Sequence, residues 1–413
     1  MALPWLPMAE QRPTYPFDHH APGFADDPWS VYRTLRDGCP VAWSDRHGGF
    51  WVVSRYEDVS RIARDDVTFS SAREVVLPRT GVGRLLPLNS DPPDLLRYRK
   101  ALQRFFTVGS AEALAPEIRR YTTVCIDSFI ERGEADMVLD VANPVPAMTT
   151  LHMLGLPIDD WRSCVEPVHA VSFHRAGDPA QEEAQRQVAG MRSRLAAIIE
   201  AEGTSFGPDS VIGHLLGVEA GGTIDHEELI DLVAMVVFGG LDTTTASLGN
   251  ALMYLHEHPE AARRLREDPS LLPRAIDELL RHEAPVQGFA RTVTQACVLG
   301  DQRIAKGETV FMLWASANRD PEVFADPDAV ILERDPNRHL TFGIGGHRCL
   351  GATLARVEMR VMLEEIVRRL PDLEVVKASR PDTVGVVYGF ARMAVRFTPG
   401  PIEGPADRSV YGL

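Results

Sequence analysis

FGIGGHRCLG, residues 342–351, is the stretch from which the rest of the chain is read. Four glycines surround one cysteine, with His347 two residues before it and Arg348 immediately before it. A structural cysteine is ordinarily a small inert hydrophobe among aliphatic neighbours. Glycine lets backbone approach another group closely, and neighbouring cations favour thiolate over thiol. Cys349 therefore reads as a thiolate ligand or a nucleophile.

The remaining cysteines, Cys39, Cys125, Cys164 and Cys297, are scattered, and no CxxC pair occurs. Neither a zinc site nor a disulfide framework is indicated, and a reducing cytoplasm fits best. Lys+Arg 43 against Asp+Glu 58 gives a net charge of −15, which argues against nucleic acid as a partner for the whole surface. The N-terminus carries Pro4, Pro7, Pro13 and Pro16 and no basic-then-apolar signal pattern. The expectation is a soluble, cytoplasmic protein without a membrane span at that end.

Helical periodicity runs through Pro28–Arg36, Tyr56–Arg64, Asp94–Phe106, Ala111–Arg132, Ala184–Glu202 and Pro259–Arg266. Strand-like stretches are short: Gly49–Val53, Thr309–Leu313 and Ala394–Phe397. The pattern predicts a mainly α fold with a small β region. Strands from both ends of the chain argue for one interleaved domain over 1–413, with a proline-rich arm (1–25) and a C-terminal tail (400–413). Leu232–Leu255 stands apart, twenty-four residues with Asp242 as the single charge. Its apolar length approaches that of a membrane span. The central Asp242, the Gly239-Gly240 pair and the threonines argue instead for burial in the core of a large protein. A lone carboxylate there is costly unless paired or functional.

The quoted stretch matches F-x-x-G-x-[HR]-x-C-x-G and resembles the haem-binding loop of cytochromes P450. Three further runs, in the order and spacing of that family, strengthen the resemblance. Glu278 and Arg281 form E-x-x-R, which the family joins to an arginine resembling Arg334. Gly239 to Thr244 resembles [AG]-G-x-[DE]-T-T, and Asn318 to Phe324 resembles A-N-R-D-P-x-x-F. The likeness extends from Pro28 to Phe397. It implies the cytochrome P450 fold, with haem b (iron protoporphyrin IX) buried between a long central helix and the cysteine loop.

By this resemblance Cys349 is the iron ligand, a thiolate that pushes electron density towards iron and favours O–O cleavage. Phe342, Gly343, His347 and Gly351 form the loop around the haem, with His347 a propionate or structural contact. Arg99, Arg291 and His339 would hold the propionates. Asp242 and Thr243 would lie on the oxygen side, Thr243 holding oxygen and Asp242 relaying protons. Many bacterial relatives carry a histidine where this chain has Leu95, so one donor to a propionate is lost. Glu278, Arg281 and Arg334 would anchor the fold. Candidate pocket segments are Val75–Leu88, Trp161–Arg175, Ala234–Phe238, Val286–Phe289 and Val387–Phe390, with Val75, Phe238, Val286, Phe289, Tyr388 and Phe390 as lining.

No flavin or iron–sulfur motif is present, so electrons from NAD(P)H would arrive through separate redox proteins, a ferredoxin and its reductase or a flavodoxin. Arg97, Lys100 and Arg104 recur at i, i+3 and i+7, a basic stripe suited to steering an acidic ferredoxin. The implied activity is hydroxylation or epoxidation of a hydrophobic small molecule of natural-product, lipid or steroid type. Oxidative coupling, a peroxide-using enzyme of the same fold, and a non-catalytic haem sensor are the alternatives.

Overall fold

The computed structural model describes residues 12–73, 75–79, 83–173, 179–381 and 383–413. Parts of the proline-rich arm (1–11) and of two candidate pocket segments (80–82 and 174–175) therefore lie outside the described residues. Helices dominate and the strands are short, the mainly α class read from the sequence.

Phe50–Val53 pairs in parallel with Thr309–Leu313, Trp51 opposite Val310, so the sheet is closed by segments some 250 residues apart in sequence. The five-stranded order is Val41–Ser44, Phe50–Val53, Thr309–Leu313, Gly288–Val293 and Phe69–Ser70. A three-stranded sheet sets Arg392–Arg396 between Glu134–Asp136 and Glu374–Ser379. The stretch GFARTV (Gly288–Val293), outside the three strand-like stretches, becomes a strand by pairing antiparallel with Thr309–Leu313. Gly288 is required there, since a Cβ would stand 2.3 Å from the Met312 carbonyl oxygen.

The helix expected over Ala111–Arg132 is two helices, Val108–Ala113 and Ala115–Asp127, with Pro116 inside the first turn of the second. Proline suits a first turn because its missing N–H has no partner there anyway. Asp94–Phe106 is α-helical only to Leu102 and continues as a 3₁₀ turn.

The apolar segment begins earlier than its hydrophobicity suggests. Asp225 caps the helix His226–Gly240, its carboxylate accepting from the Glu228 amide while the Glu228 carboxylate accepts from the Asp225 amide. Leu241 then leaves helical geometry (φ −91°, ψ −85°), and a second helix runs Asp242–Glu257. Gly240 serves packing here: a Cβ would come within 2.6 Å of Thr150 Oγ1 on the helix Pro144–Leu154. Together the two helices are long and apolar enough to cross a membrane, yet 67% of their most apolar window is buried inside the protein. They form a core element, packed against Pro144–Leu154, Trp161–Phe173 and Ala352–Arg369.

Candidate functional site

The cysteine loop lies between two anchored runs. Upstream, Asn318 Oδ1 accepts from the Leu340 amide (2.6 Å) and its Nδ2 donates to Thr341 Oγ1 (2.9 Å). Thr341 Oγ1 in turn donates to the Leu280 carbonyl (2.7 Å), fixing the loop entrance to the helix Leu272–His282. Downstream, the helix Ala352–Arg369 starts directly after Gly351. Within the loop the Cys349 amide donates to the Phe342 carbonyl at 2.7 Å. Gly345 (φ 79°) lets the loop touch the helix Tyr56–Arg64, where a Cβ would sit 2.5 Å from the Ala63 carbonyl oxygen. Leu95, the residue in place of the relatives' histidine, is fully buried and packs under Gly346.

Cys349 is accessible yet enclosed by protein, and burial pushes its thiol above the ordinary value. The Gly351 amide and the guanidinium groups of Arg99, Arg348 and Arg356 pull the other way without prevailing. The neighbouring cations favour the thiolate, as expected from the sequence, but in the metal-free protein desolvation outweighs them. A free nucleophile is disfavoured by this setting, whereas a metal bound to sulfur deprotonates it outright.

Three cationic or basic groups gather around the loop with little to neutralise them. Arg99 is half-buried, and its guanidinium makes no side-chain hydrogen bond or ion pair among the described residues; burial lowers its pKa, opposed by Cys349. Arg291 is buried and, among the described residues, donates only to the Ala290 carbonyl (3.0 Å); burial brings its pKa down to about 10. His347 has a buried Nε2 without a partner, and burial, then Arg291 and Arg99, bring its pKa down to about 3. A neutral imidazole donor between two under-neutralised guanidiniums is suited to carboxylates of a ligand, and haem carries two.

His339 does not join them. Its Nε2 lies 3.3 Å from Asp277 Oδ1 and its Nδ1 accepts from the Thr341 amide, so both nitrogens are committed within the protein. Asp277 is shared with Arg356, which also lies over the Phe342 ring at 4.4 Å. Gly343 adopts φ 64° and turns the chain through a hydrogen bond to the Leu340 carbonyl.

The break at Leu241 separates the next side chains by direction. Thr243 is half-buried and its hydroxyl donates to the Gly239 carbonyl (2.9 Å), which leaves its lone pairs to accept. Asp242 is buried, with neither carboxylate oxygen hydrogen-bonded among the described residues, and Oδ1 lies 3.5 Å from His169 Nδ1. Thr244 Oγ1 donates at 3.3 Å to Glu358 on the helix Ala352–Arg369. Glu358 was not singled out in the sequence, although a carboxylate within its buried apolar stripe (Val357, Val361, Met362) is an available signal.

Burial, with only the Thr244 hydroxyl opposing it, raises the Glu358 pKa to about 8. The folded protein therefore keeps a proton that the unfolded chain releases near 4.5. Between those values the unfolded state binds fewer protons, so stability falls as pH rises. Glu358→Gln is expected to flatten that slope: melting between pH 5 and 8 should decline less in the variant. Identical slopes would mean that Glu358 is ionised when folded.

The other pocket candidates separate into two groups. Val75 is buried and its carbonyl accepts from the Ala290 amide (2.6 Å); Val286 and Phe289 are half-buried against the five-stranded sheet. Phe238 is half-buried against Val171, Ala184 and Val188. Tyr388 and Phe390 are buried with Arg380 stacked on both rings, at 4.1 and 3.7 Å, and Trp29 meets Tyr388 edge-on. The basic stripe is corrected. Arg97 is bound by both Glu228 oxygens (2.6 and 2.7 Å) and by Asp94, so it is not free for a partner. Lys100 and Arg104 are exposed, the latter near His214 and Asp209.

The Glu278 carboxylate accepts from Arg281 (2.7 and 2.8 Å), Arg334 (2.9 Å to each oxygen), the Ile331 amide (2.8 Å) and Asn337 (3.2 Å). Burial acts to raise its pKa, but these donors, Arg281 foremost, bring it below the ordinary value.

Comparison with known proteins matches the description "Cytochrome P450" over residues 180–384. Cytochrome P450 130 of Mycobacterium tuberculosis is 36% identical over 367 residues, covering 85% of this chain and 90% of that protein. Cyclomarin C epoxidase CymV of Salinispora arenicola is 31% identical over 348 residues, covering 81% and 88%. The crystal structure of CYP109E1 from Bacillus megaterium with testosterone superposes with a TM-score of 0.81 at 29% identity, covering 90% and 98%. With this likeness over most of its length, the chain belongs to the cytochrome P450 family of haem-dependent monooxygenases.

Proposed function

We propose that the protein holds haem b through Cys349, with Arg99, Arg291 and His347 binding the propionates, and inserts one oxygen atom into a hydrophobic small molecule. The observation that carries this reading is the meeting of Cys349, Arg99, Arg291 and the unpartnered His347 Nε2 at one loop. Once bound, haem supplies dioxygen activation, with thiolate electron donation favouring O–O cleavage. The protein's own contribution is to position and protonate. Because the Thr243 hydrogen is given to Gly239, its oxygen accepts a hydrogen bond from an O–H arriving on its open side. Asp242, one residue earlier, hands on the protons.

Val75, Phe238, Val286 and Phe289 make an apolar lining, the usual character of a small-molecule pocket. An epoxidase of cyclomarin C and a relative crystallised with testosterone support a natural-product or steroid-like substrate. Electrons would come from NAD(P)H through a ferredoxin or flavodoxin docking beside Lys100 and Arg104, in the cytoplasm.

The test is product formed per reduced cofactor consumed, with peroxide measured alongside. Thr243→Ala should still bind haem and substrate but divert electrons to peroxide. Asp242→Asn, which keeps shape and loses the proton, should slow turnover by about 10²–10⁴-fold. Unchanged coupling in the first together with an unchanged rate in the second would contradict the reading. Docking has its own prediction: Lys100→Glu with Arg104→Glu should weaken reduction by an acidic ferredoxin and flatten its salt dependence, with substrate affinity preserved. Unaltered reduction kinetics would make this an ordinary solvated face.

A further inference from the structure

Asp242 has no direct way to collect protons. Its side chain is 4% accessible, and neither oxygen finds a hydrogen-bond donor among the described residues. A buried carboxylate left in this state is costly, so its position calls for a neighbour that acts on it. Glu358 does not meet that need. It is buried and faces Thr244, two residues on and in another direction. The Thr243 hydroxyl is committed to Gly239.

Among the described residues, one titratable side chain faces the carboxylate. His169, on the helix Trp161–Phe173, brings Nδ1 to 3.5 Å from Asp242 Oδ1 while its side chain stays 24% accessible. That helix packs against Asp242–Glu257, so the imidazole bridges the buried acid and the more accessible side of the helix pair. Imidazole is the side chain suited to this task, since its two nitrogens are distinct and its charge changes at ordinary pH.

We infer that His169 is the positioning residue that supplies protons to Asp242, an inference that rests on the role proposed above for Asp242. The transfer balances without any further reactant. Nε2 of the neutral ring takes a proton from solvent, Nδ1 releases its own to the carboxylate, and the ring is left as the other neutral tautomer. Rotation of the ring, whose side chain is 24% accessible, brings Nδ1 out to solvent, where it takes up a proton as Nε2 gives one up, and this restores the first tautomer. Each cycle moves one proton from water to Asp242 and no electrons.

The experiment uses the haem-loaded full chain as wild type, His169→Gln, Asp242→Asn and the double variant. Turnover is driven once by reduced cofactor through a surrogate ferredoxin and once by hydrogen peroxide, which brings both electrons and both protons. His169→Gln should slow the first by about 10²-fold, the low end for a positioned proton-transfer group, and spare the second. The double variant should be no slower than Asp242→Asn alone. Thermal melting of the four proteins reads the contact without turnover, and the two single shifts should fail to add. Additive melting shifts would overturn the inference, as would an equal loss in both kinds of turnover, which marks a structural role. A normal rate in His169→Gln beside a slowed Asp242→Asn would overturn this inference and leave Asp242 in place. Normal rates in both variants would remove the role of Asp242 itself.

Discussion

Glu278→Ala is expected to yield protein that melts early and retains little or no haem. Glu278 and Arg281 are both 0% accessible at the side chain, and the carboxylate gathers donors from its own helix and from the segment 331–337. Arg281, once its partner is gone, still donates to the Asn318, Pro327 and Ala329 carbonyls but keeps an uncompensated charge in the interior. Removing one member of such a pair costs about 3–5 kcal/mol, a large part of the stability of most domains. The same Asn318 whose carbonyl receives Arg281 positions Leu340 and Thr341 at the entrance to the cysteine loop. Loss of the pair therefore loosens the loop as well as the core. Haem content and melting temperature are the measurements, and normal values for both would contradict this account. Lys100→Glu, on an exposed surface, is the control for nonspecific charge effects and should leave both near wild type.

What could be read from the sequence divides along a physical line. The glycine-and-cation setting of Cys349 and the i, i+3 spacing of Glu278 and Arg281 are local patterns. Arg334 lies 56 residues from Glu278, and only resemblance to a family suggested their meeting. Partners brought in by tertiary packing were invisible. Spacing placed Arg97 on a helix face with Lys100, but Glu228, 131 residues away, claims it. Nothing local to Tyr388 and Phe390 announces that Arg380 stacks on both. His339 reads as a free donor until Asp277 takes its ring. Glu358 and His169 were missed for the same reason: periodicity tells which face is buried, but not which opposing side chain that face meets. The break at Leu241 was legible in part. Two glycines weaken a helix, yet the close approach of Thr150 that requires Gly240 comes from another helix.

The central claim is that Cys349 binds the haem iron, and the spectrum of the reduced protein with carbon monoxide tests it most directly. Thiolate ligation has its own absorption signature, which a hydroxyl in place of sulfur cannot give. The other four cysteines are poor rivals: Cys125 and Cys164 are buried in the helical core, away from the glycine-rich loop. Cys39 and Cys297 are half-buried at the β region. Each cysteine is replaced by serine in turn, and the reduced carbonyl spectrum is recorded. The account predicts that Cys349→Ser alone abolishes the thiolate signature. Its survival in Cys349→Ser, with loss in any of the other four variants, would contradict the assignment.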